Sequence, residues 1–257
     1  MIFETHAHYD DEAYNDDRES LINSLPEHCI EYVLNICSSI ESVDRTIALT
    51  DEYSFIYSAI GIHPDSTKDL NEEKFIWLKN KTNHPKCLAV GEIGLDYYWD
   101  TTPRDIQIKW FERQIDLAKQ RKLAIVFHSR DAAKDTFDII KSNNIVSVGG
   151  VLHCYSYSKE QAKEYLDLGL YLGIGGVVTF NNAKKLKEVV EYAPLEQLVL
   201  ETDAPYLSPV PHRGKRNTSI NLSLIAGEIA RIKNIDYETV VNVTNENAKK
   251  LFFKNTL

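Results

Sequence analysis

Cysteine is sparse in this chain of 257 residues, and its four members, Cys29, Cys37, Cys87 and Cys154, form no Cys-x-x-Cys pair. That spacing excludes a cysteine-built zinc finger and gives no disulfide frame, so the thiols are read as reduced and buried. Also missing is any apolar run near the roughly 20 residues that a membrane-spanning helix needs. No basic and then apolar leader opens the sequence. The expected place is the cytoplasm, with no membrane contact and no obligate protein partner. Internal repeats, low-complexity tracts and linker-like Gly/Ser/Pro runs are absent, so residues 1–257 are expected to form a single domain. Positive charge is in short supply: 29 Lys and Arg against 38 Asp and Glu leave a net charge of −9. That balance opposes polyanion binding over the whole surface but leaves room for a local basic patch.

What is present is enough apolar material for a core, at 43% of residues and a mean hydropathy of −0.32. It is distributed in a regular way. Short apolar runs at residues 2–3, 32–36, 55–62, 87–90, 123–127, 146–152, 170–174 and 197–200 read as strands. Between and after them, residues 16–25, 39–51, 72–79, 104–121, 132–143, 159–168, 183–192, 221–232 and 237–252 read as helices. The longest has Ile108, Phe111, Ile115, Leu117 and Ala118 at helical spacing, and the third has Phe75, Ile76 and Leu78 for its inner face. Eight continuous apolar strands, each followed by a helix, predict an α/β fold, the single-domain (β/α)8 TIM barrel. A doubly wound open sheet is the rival, but it feeds its ligand site from few strands. Here polar residues end strands one, three, four, five, six and eight, and a closed barrel gathers all of them.

The opening MIFETHAHYD sets the chemistry. Residues i and i+2 of a strand share a face, so His6 and His8 point the same way and can offer ring nitrogens to one ion. His63, Glu92, His128, His153 and Asp203 stand at later strand ends, so that five of the eight histidines lie where this fold builds its active site. Imidazoles and carboxylates without thiolates suit zinc, manganese or magnesium in a hydrolytic site with an open water position. Six good ligands (His6, His8, Glu92, His128, His153 and Asp203) exceed the needs of one tetrahedral ion, so two divalent ions sharing a carboxylate are expected. Residues 205–219, PYLSPVPHRGKRNTS, make an irregular loop that is strongly basic in an acidic protein. His212, Arg213, Lys215 and Arg216 there are candidates to meet the phosphates of a single strand. Tyr97, Tyr98, Trp99, Tyr155 and Tyr206 are candidates to stack on a base.

Six segments together carry a family resemblance. Glu4-Thr5-His6-Ala7-His8, Gly61-Ile62-His63-Pro64, Gly91-Glu92-Ile93-Gly94-Leu95-Asp96-Tyr97-Tyr98, His128-Ser129-Arg130, His153-Cys154-Tyr155-Ser156 and Glu201-Thr202-Asp203-Ala204-Pro205-Tyr206-Leu207 resemble the TatD family of metal-dependent deoxyribonucleases, which belongs to the amidohydrolase-like barrels. The resemblance implies that His6, His8 and Asp203 hold one ion and His128 and His153 the other, with Glu92 bridging. It also implies that His63 and Arg130 lie near the substrate phosphate, and the family carries a similar Arg-Gly-Lys-Arg-Asn stretch in the basic loop. The expected activity is hydrolysis of phosphodiester bonds in DNA, a 3′–5′ exonuclease on single strands, with Asp203 as general base. The alternative is the same site acting on another ester or amide, such as aminoacyl-tRNA or a small amide. Two positions depart from the family: Glu4 stands where it usually has Asp, and Thr218-Ser219 follows Asn217 where it usually has Glu-Pro. Glu4 is expected to orient a ligand rather than bind an ion.

Overall fold

A computed structural model describes residues 1–99 and 101–254. Asp100 and residues 255–257, the last of the expected domain, lie outside the described residues. The strands are β1 (Ile2–Ala7), β2 (Ile30–Ile36), β3 (Ile56–Ala59), β4 (Cys87–Asp96), β5 (Ala124–Arg130), β6 (Gly150–Leu152), β7 (Tyr171–Ile174) and β8 (Leu198–Leu200). The helices are α1 (Arg18–Ser24), α2 (Ile40–Glu52), α3 (Glu72–Lys81), α4 (Arg104–Arg121), α5 (Ala133–Ser142), α6 (Lys159–Asp167), α7 (Lys184–Tyr192), α8 (Leu222–Lys233) and α9 (Tyr237–Phe252). Strand order in the sheet equals sequence order, with parallel pairing, which is the (β/α)8 arrangement expected from the alternation of runs. Every residue of β1 and β4 is buried, which explains why these strands read as continuous rather than alternating patterns. Among the described residues no helix is long and apolar enough to cross a membrane.

The chain forms two compact units, residues 1–35 with 154–250, and residues 36–153 with 251 onward. In the first, β1 and β8 are joined beyond their ends. Ala7 bridges Ala204 in parallel fashion. His8 N–H donates to the Ala204 carbonyl at 2.7 Å, and Asp203 N–H to the His6 carbonyl at 2.9 Å. The residues expected as ligands are thus fixed by backbone hydrogen bonds before their side chains do anything. Ser158 caps α6 in a reciprocal arrangement with Gln161, as the sequence Ser-x-x-Gln allows.

In the second unit the core is built by α4 on β4 and β5. Phe111 of α4 is fully buried and meets Phe127 of β5 edge to face, ring centroids 6.0 Å apart. Two glutamines of α4, seven positions apart on the same face, clamp the backbone where β4 ends and where the chain has left β3. Gln114 accepts the Ile62 N–H at 2.8 Å and donates to its carbonyl at 3.1 Å. Gln107 does the same for Asp96, at 2.9 and 3.0 Å, and also donates to Thr102. Gly94, at φ +152°, lets β4 pass β5 closely: a Cβ there would sit 1.9 Å from the His128 carbonyl oxygen.

Several local expectations change. Gln107 is buried where Ile108 was expected inward, because the strand ends need hydrogen-bond partners more than α4 needs another aliphatic. Ile76 of α3 is 59% exposed, leaving Phe75 and Leu78 as its inner face. Val146 is 73% exposed in a short 3₁₀ turn, and β6 begins only at Gly150. Only Cys37 and Cys87 are buried; Cys29 is exposed and Cys154 half-buried. Replacing Phe111 by Ala should cost about 3–5 kcal/mol of unfolding free energy in urea. A loss under about 1 kcal/mol would mean that α4 does not anchor this core.

Candidate metal centre

In the first unit the C-terminal end of β1 presents His6 and His8 on one face, as the i, i+2 rule requires. Their Nε2 atoms lie 3.2 Å apart. Asp203 Oδ1 lies 3.6 Å from His6 Nε2 and 3.4 Å from His8 Nε2. Ligands bound at 2.0–2.1 Å to a tetrahedral ion are spaced by about 3.3 Å. The triangle therefore fits three ligands of one tetrahedral ion. Asp203 achieves its place at a left-handed φ of +57°, uncommon for a residue with a Cβ. Behind the triangle sits Glu4, fully buried. Its Oε1 accepts N–H bonds from His6 at 3.1 Å and Thr202 at 2.9 Å, and its Oε2 accepts from the Thr202 hydroxyl at 2.6 Å. Burial pushes the Glu4 carboxyl up to about 8, although these hydrogen bonds pull the other way. Glu201 is buried too and accepts the Cys154 N–H at 2.6 Å. Gly173 makes room for it, since a Cβ there would meet its carboxylate at 2.2 Å.

The second unit gathers His63, Glu92 and His128 within ligand reach of one another. Glu92 Oε1 lies 2.7 Å from His128 Nδ1 and 3.5 Å from His153 Nε2. His63 meets the His128 ring edge to face, with centroids 4.3 Å apart. On its far side His128 Nε2 lies 2.9 Å from Asp96 Oδ2. A carboxylate can only accept, so without an ion both ring nitrogens carry protons, Nε2 donating to Asp96 and Nδ1 to Glu92. Burial works to lower the His128 pKa, but Asp96 and Glu92 outweigh it and hold the imidazolium up to about 9. Asp65, beside His63, is raised by burial and by the neighbouring Asp96, against a hydrogen bond from Thr101. A cavity of about 420 Å³ opens at the N-terminal ends of β4 and β5, between Cys87, Leu88, Arg121, Lys122 and Lys254. It brings together no acid or imidazole and is not the candidate site.

The expected phosphate contacts are placed less uniformly. Arg130 ends β5, exposed, with its guanidinium 4.1 Å above the Tyr98 ring. In the basic loop, Arg216 is bound bidentately to Asp17 at 2.7 and 2.6 Å and donates to the Ala13 carbonyl, so its cation is already engaged. Arg213 lies 4.4 Å over the Phe180 ring, and Lys215 is exposed. Asn217, fully buried, ties the loop shut: its amide donates to the Thr202 and Tyr206 carbonyls at 2.9 and 2.7 Å.

With that geometry the comparisons with known proteins agree. Residues 3–253 match the family model described as TatD related DNase. The chain belongs to the TatD family. It is 43% identical over 252 residues to the Bacillus subtilis uncharacterized metal-dependent hydrolase YabD, covering 98% of this chain and 99% of that one. It is 31% identical to Escherichia coli YcfH, an uncharacterized metal-dependent hydrolase, covering 98% and 96%. The crystal structure of E. coli YjjV, a TatD homolog, superposes with a TM-score of 0.92 at 26% identity over 98% of this chain and 97% of that one. As a TatD member among metal-dependent hydrolases, the chain carries its donors where the two clusters were found.

Sequence reasoning missed Asp96 as a functional residue, although it was in plain view in the segment GEIGLDYY; its role depends on a ring nitrogen 32 positions away. Asp96→Asn should weaken divalent-ion binding by about 10–100-fold, measured by competition with a chelating indicator, while leaving the far-UV spectrum unchanged. Unchanged affinity would mean that Asp96 does not orient His128. A second expectation concerns Glu4 in chelator-treated protein. A folded-state value near 8 against the ordinary 4.5 makes its stabilising contribution complete below pH 4.5 and lost as pH rises through 8. Between those limits wild type should lose stability with pH more steeply than Glu4→Gln. Equal slopes would show Glu4 to be ionised.

Proposed function

We propose that this TatD protein hydrolyses phosphodiester bonds of DNA, removing nucleotides from the 3′ end of single strands, with one divalent ion (Mg, Mn or Zn) held at each cluster. The observation that carries the reading is the His6, His8 and Asp203 triangle, whose edges fit three ligands of one ion. The description of the family as DNases supports DNA as the substrate. His6, His8 and Asp203 would hold one ion; Glu92, His128 and His153 would hold the other. When bound, such ions acidify water and neutralise phosphate charge.

The chain's own residues do the rest. Asp203 accepts the proton of the attacking water at a carboxylate oxygen. Asp96 accepts the His128 Nε2 proton, so Nδ1 is the ring nitrogen that would turn to an ion, and Glu4 accepts the His6 N–H and keeps that backbone in place. His63 and Arg130 steady charge on the scissile phosphate. Arg213 and Lys215 meet neighbouring phosphates, while Arg216 braces the loop through Asp17. The cytoplasmic location expected from the sequence belongs to the same proposal.

A 5′-labelled single strand incubated with Mg²⁺ or Mn²⁺ should give a ladder shortening from the 3′ end, and chelator should stop it. Glu92→Ala should remove turnover while the protein still melts cooperatively; turnover near wild type would remove Glu92 from the machinery. Turnover of aminoacyl-tRNA or a small amide without nucleotide release would overturn the nuclease reading in favour of another hydrolase.

A further inference from the structure

Beside the second cluster, the segment after β4 holds two aromatic rings out in solvent. Tyr98 is 55% exposed and Trp99 58%. Single exposed apolar residues are ordinary on protein surfaces, but this pair is adjacent and held in place. Asp96 Oδ1 accepts the backbone N–H of Tyr98 at 2.9 Å and of Trp99 at 3.0 Å. The other oxygen of the same carboxylate holds His128. The two rings meet edge to face, centroids 5.0 Å apart at 87°. Arg130, two residues beyond His128 on β5, lays its guanidinium 4.1 Å from the Tyr98 centroid and 5.5 Å from that of Trp99.

Water-exposed indole and phenol faces gain by being covered, and Asp96 prevents the segment from collapsing to cover them itself. What covers the remaining faces must be flat and bear negative charge nearby, because the Arg130 guanidinium already lies over one face of Tyr98 and near Trp99. A peptide aromatic satisfies only the first condition. A nucleotide satisfies both, with its base on a ring and its phosphate within reach of the cation. We propose that Tyr98 and Trp99 form a stacking platform for one nucleobase of a single strand, with Arg130 pairing its phosphate. This deepens the nuclease reading above and rests on it for the choice of polymer.

The test compares a fluorescein-labelled thymidine decamer with a same-length strand of abasic residues, by anisotropy under chelator so that nothing is cleaved. Wild type should bind the thymidine strand about tenfold more tightly, the loss expected when one stacked base is removed. Trp99→Ala and Tyr98→Ala should erase most of that difference without weakening the abasic strand, and Trp99→Phe should restore it. Equal binding of both strands by wild type, no binding of either, or an unaltered preference in Trp99→Ala would overturn the platform. Cleavage with Mg²⁺, assayed in parallel, separates the two readings. Cleavage without base preference in binding sinks the platform alone. Base preference without cleavage supports the platform and sinks the nuclease.

Discussion

A carboxylate taken out of water must be given partners, and that demand shapes both units of this protein. Glu4, Glu92, Asp96 and Glu201 are each at most 4% exposed. An isolated buried charge of this kind would shift its pKa until it became neutral. Glu4, ringed by N–H and hydroxyl groups but no cation, is driven that way by burial. Asp96 goes the other way: burial opposes it, yet the His128 proton and the Tyr98 and Trp99 N–H groups hold its carboxyl below the usual range. The two carboxyls are thus shifted in opposite directions, Glu4 upward by burial and Asp96 downward by its donors. That asymmetry leaves Asp96 free to act as a permanent acceptor for His128, and makes Glu4 a brace that joins the backbone after β8 to that of β1.

The fold and the ligand candidates were legible in the sequence because both leave local marks. A parallel strand buried on two faces is a run of apolar residues, and the polar residue that ends it stands out. His6, His8, Glu92, His128, His153 and Asp203 were all visible in that way. The residues that hold them were not. Gln107 and Gln114 bond to backbone at and beyond strand ends, 11 and 52 positions away. Asn217 closes the basic loop onto the carbonyls of Thr202 and Tyr206. Their partners are main-chain atoms, present at every position and therefore unmarked in the sequence. Ile76, Ile108 and Val146 failed for the converse reason: an aliphatic residue does not have to be inside.

Both departures from the family pattern find a physical use. The side chain of Glu4 reaches across to Thr202 while Oε1 still accepts the His6 N–H. At Ser219, where the family usually has proline, the N–H donates to the Tyr9 hydroxyl at 3.0 Å, and the Tyr9 hydroxyl lies 2.7 Å from Ser219 Oγ. Proline could make neither bond. Tyr9 follows directly on His8, so the end of the basic loop is tied to the segment that carries the first ligands.

Of the eight non-glycine residues at positive φ among the described residues, three stand just past strand ends. Asp131, Cys154 and Asp203 all adopt positive φ, at +53°, +45° and +57°, and each lies within three residues of the end of β5, β6 or β8. Such a conformation costs about 1–2 kcal/mol for a residue with a Cβ. It follows from what a strand end must do here. The chain has to leave the sheet at once, because another apolar turn would bury the ligand, and it has to leave with a polar side chain still aimed along the strand axis. A left-handed residue makes that turn in one step. Glycine would make it without strain, but at position 203 glycine would also remove the carboxylate. Asp, whose short side chain tolerates this region better than most, is the residue that satisfies both the turn and the triangle.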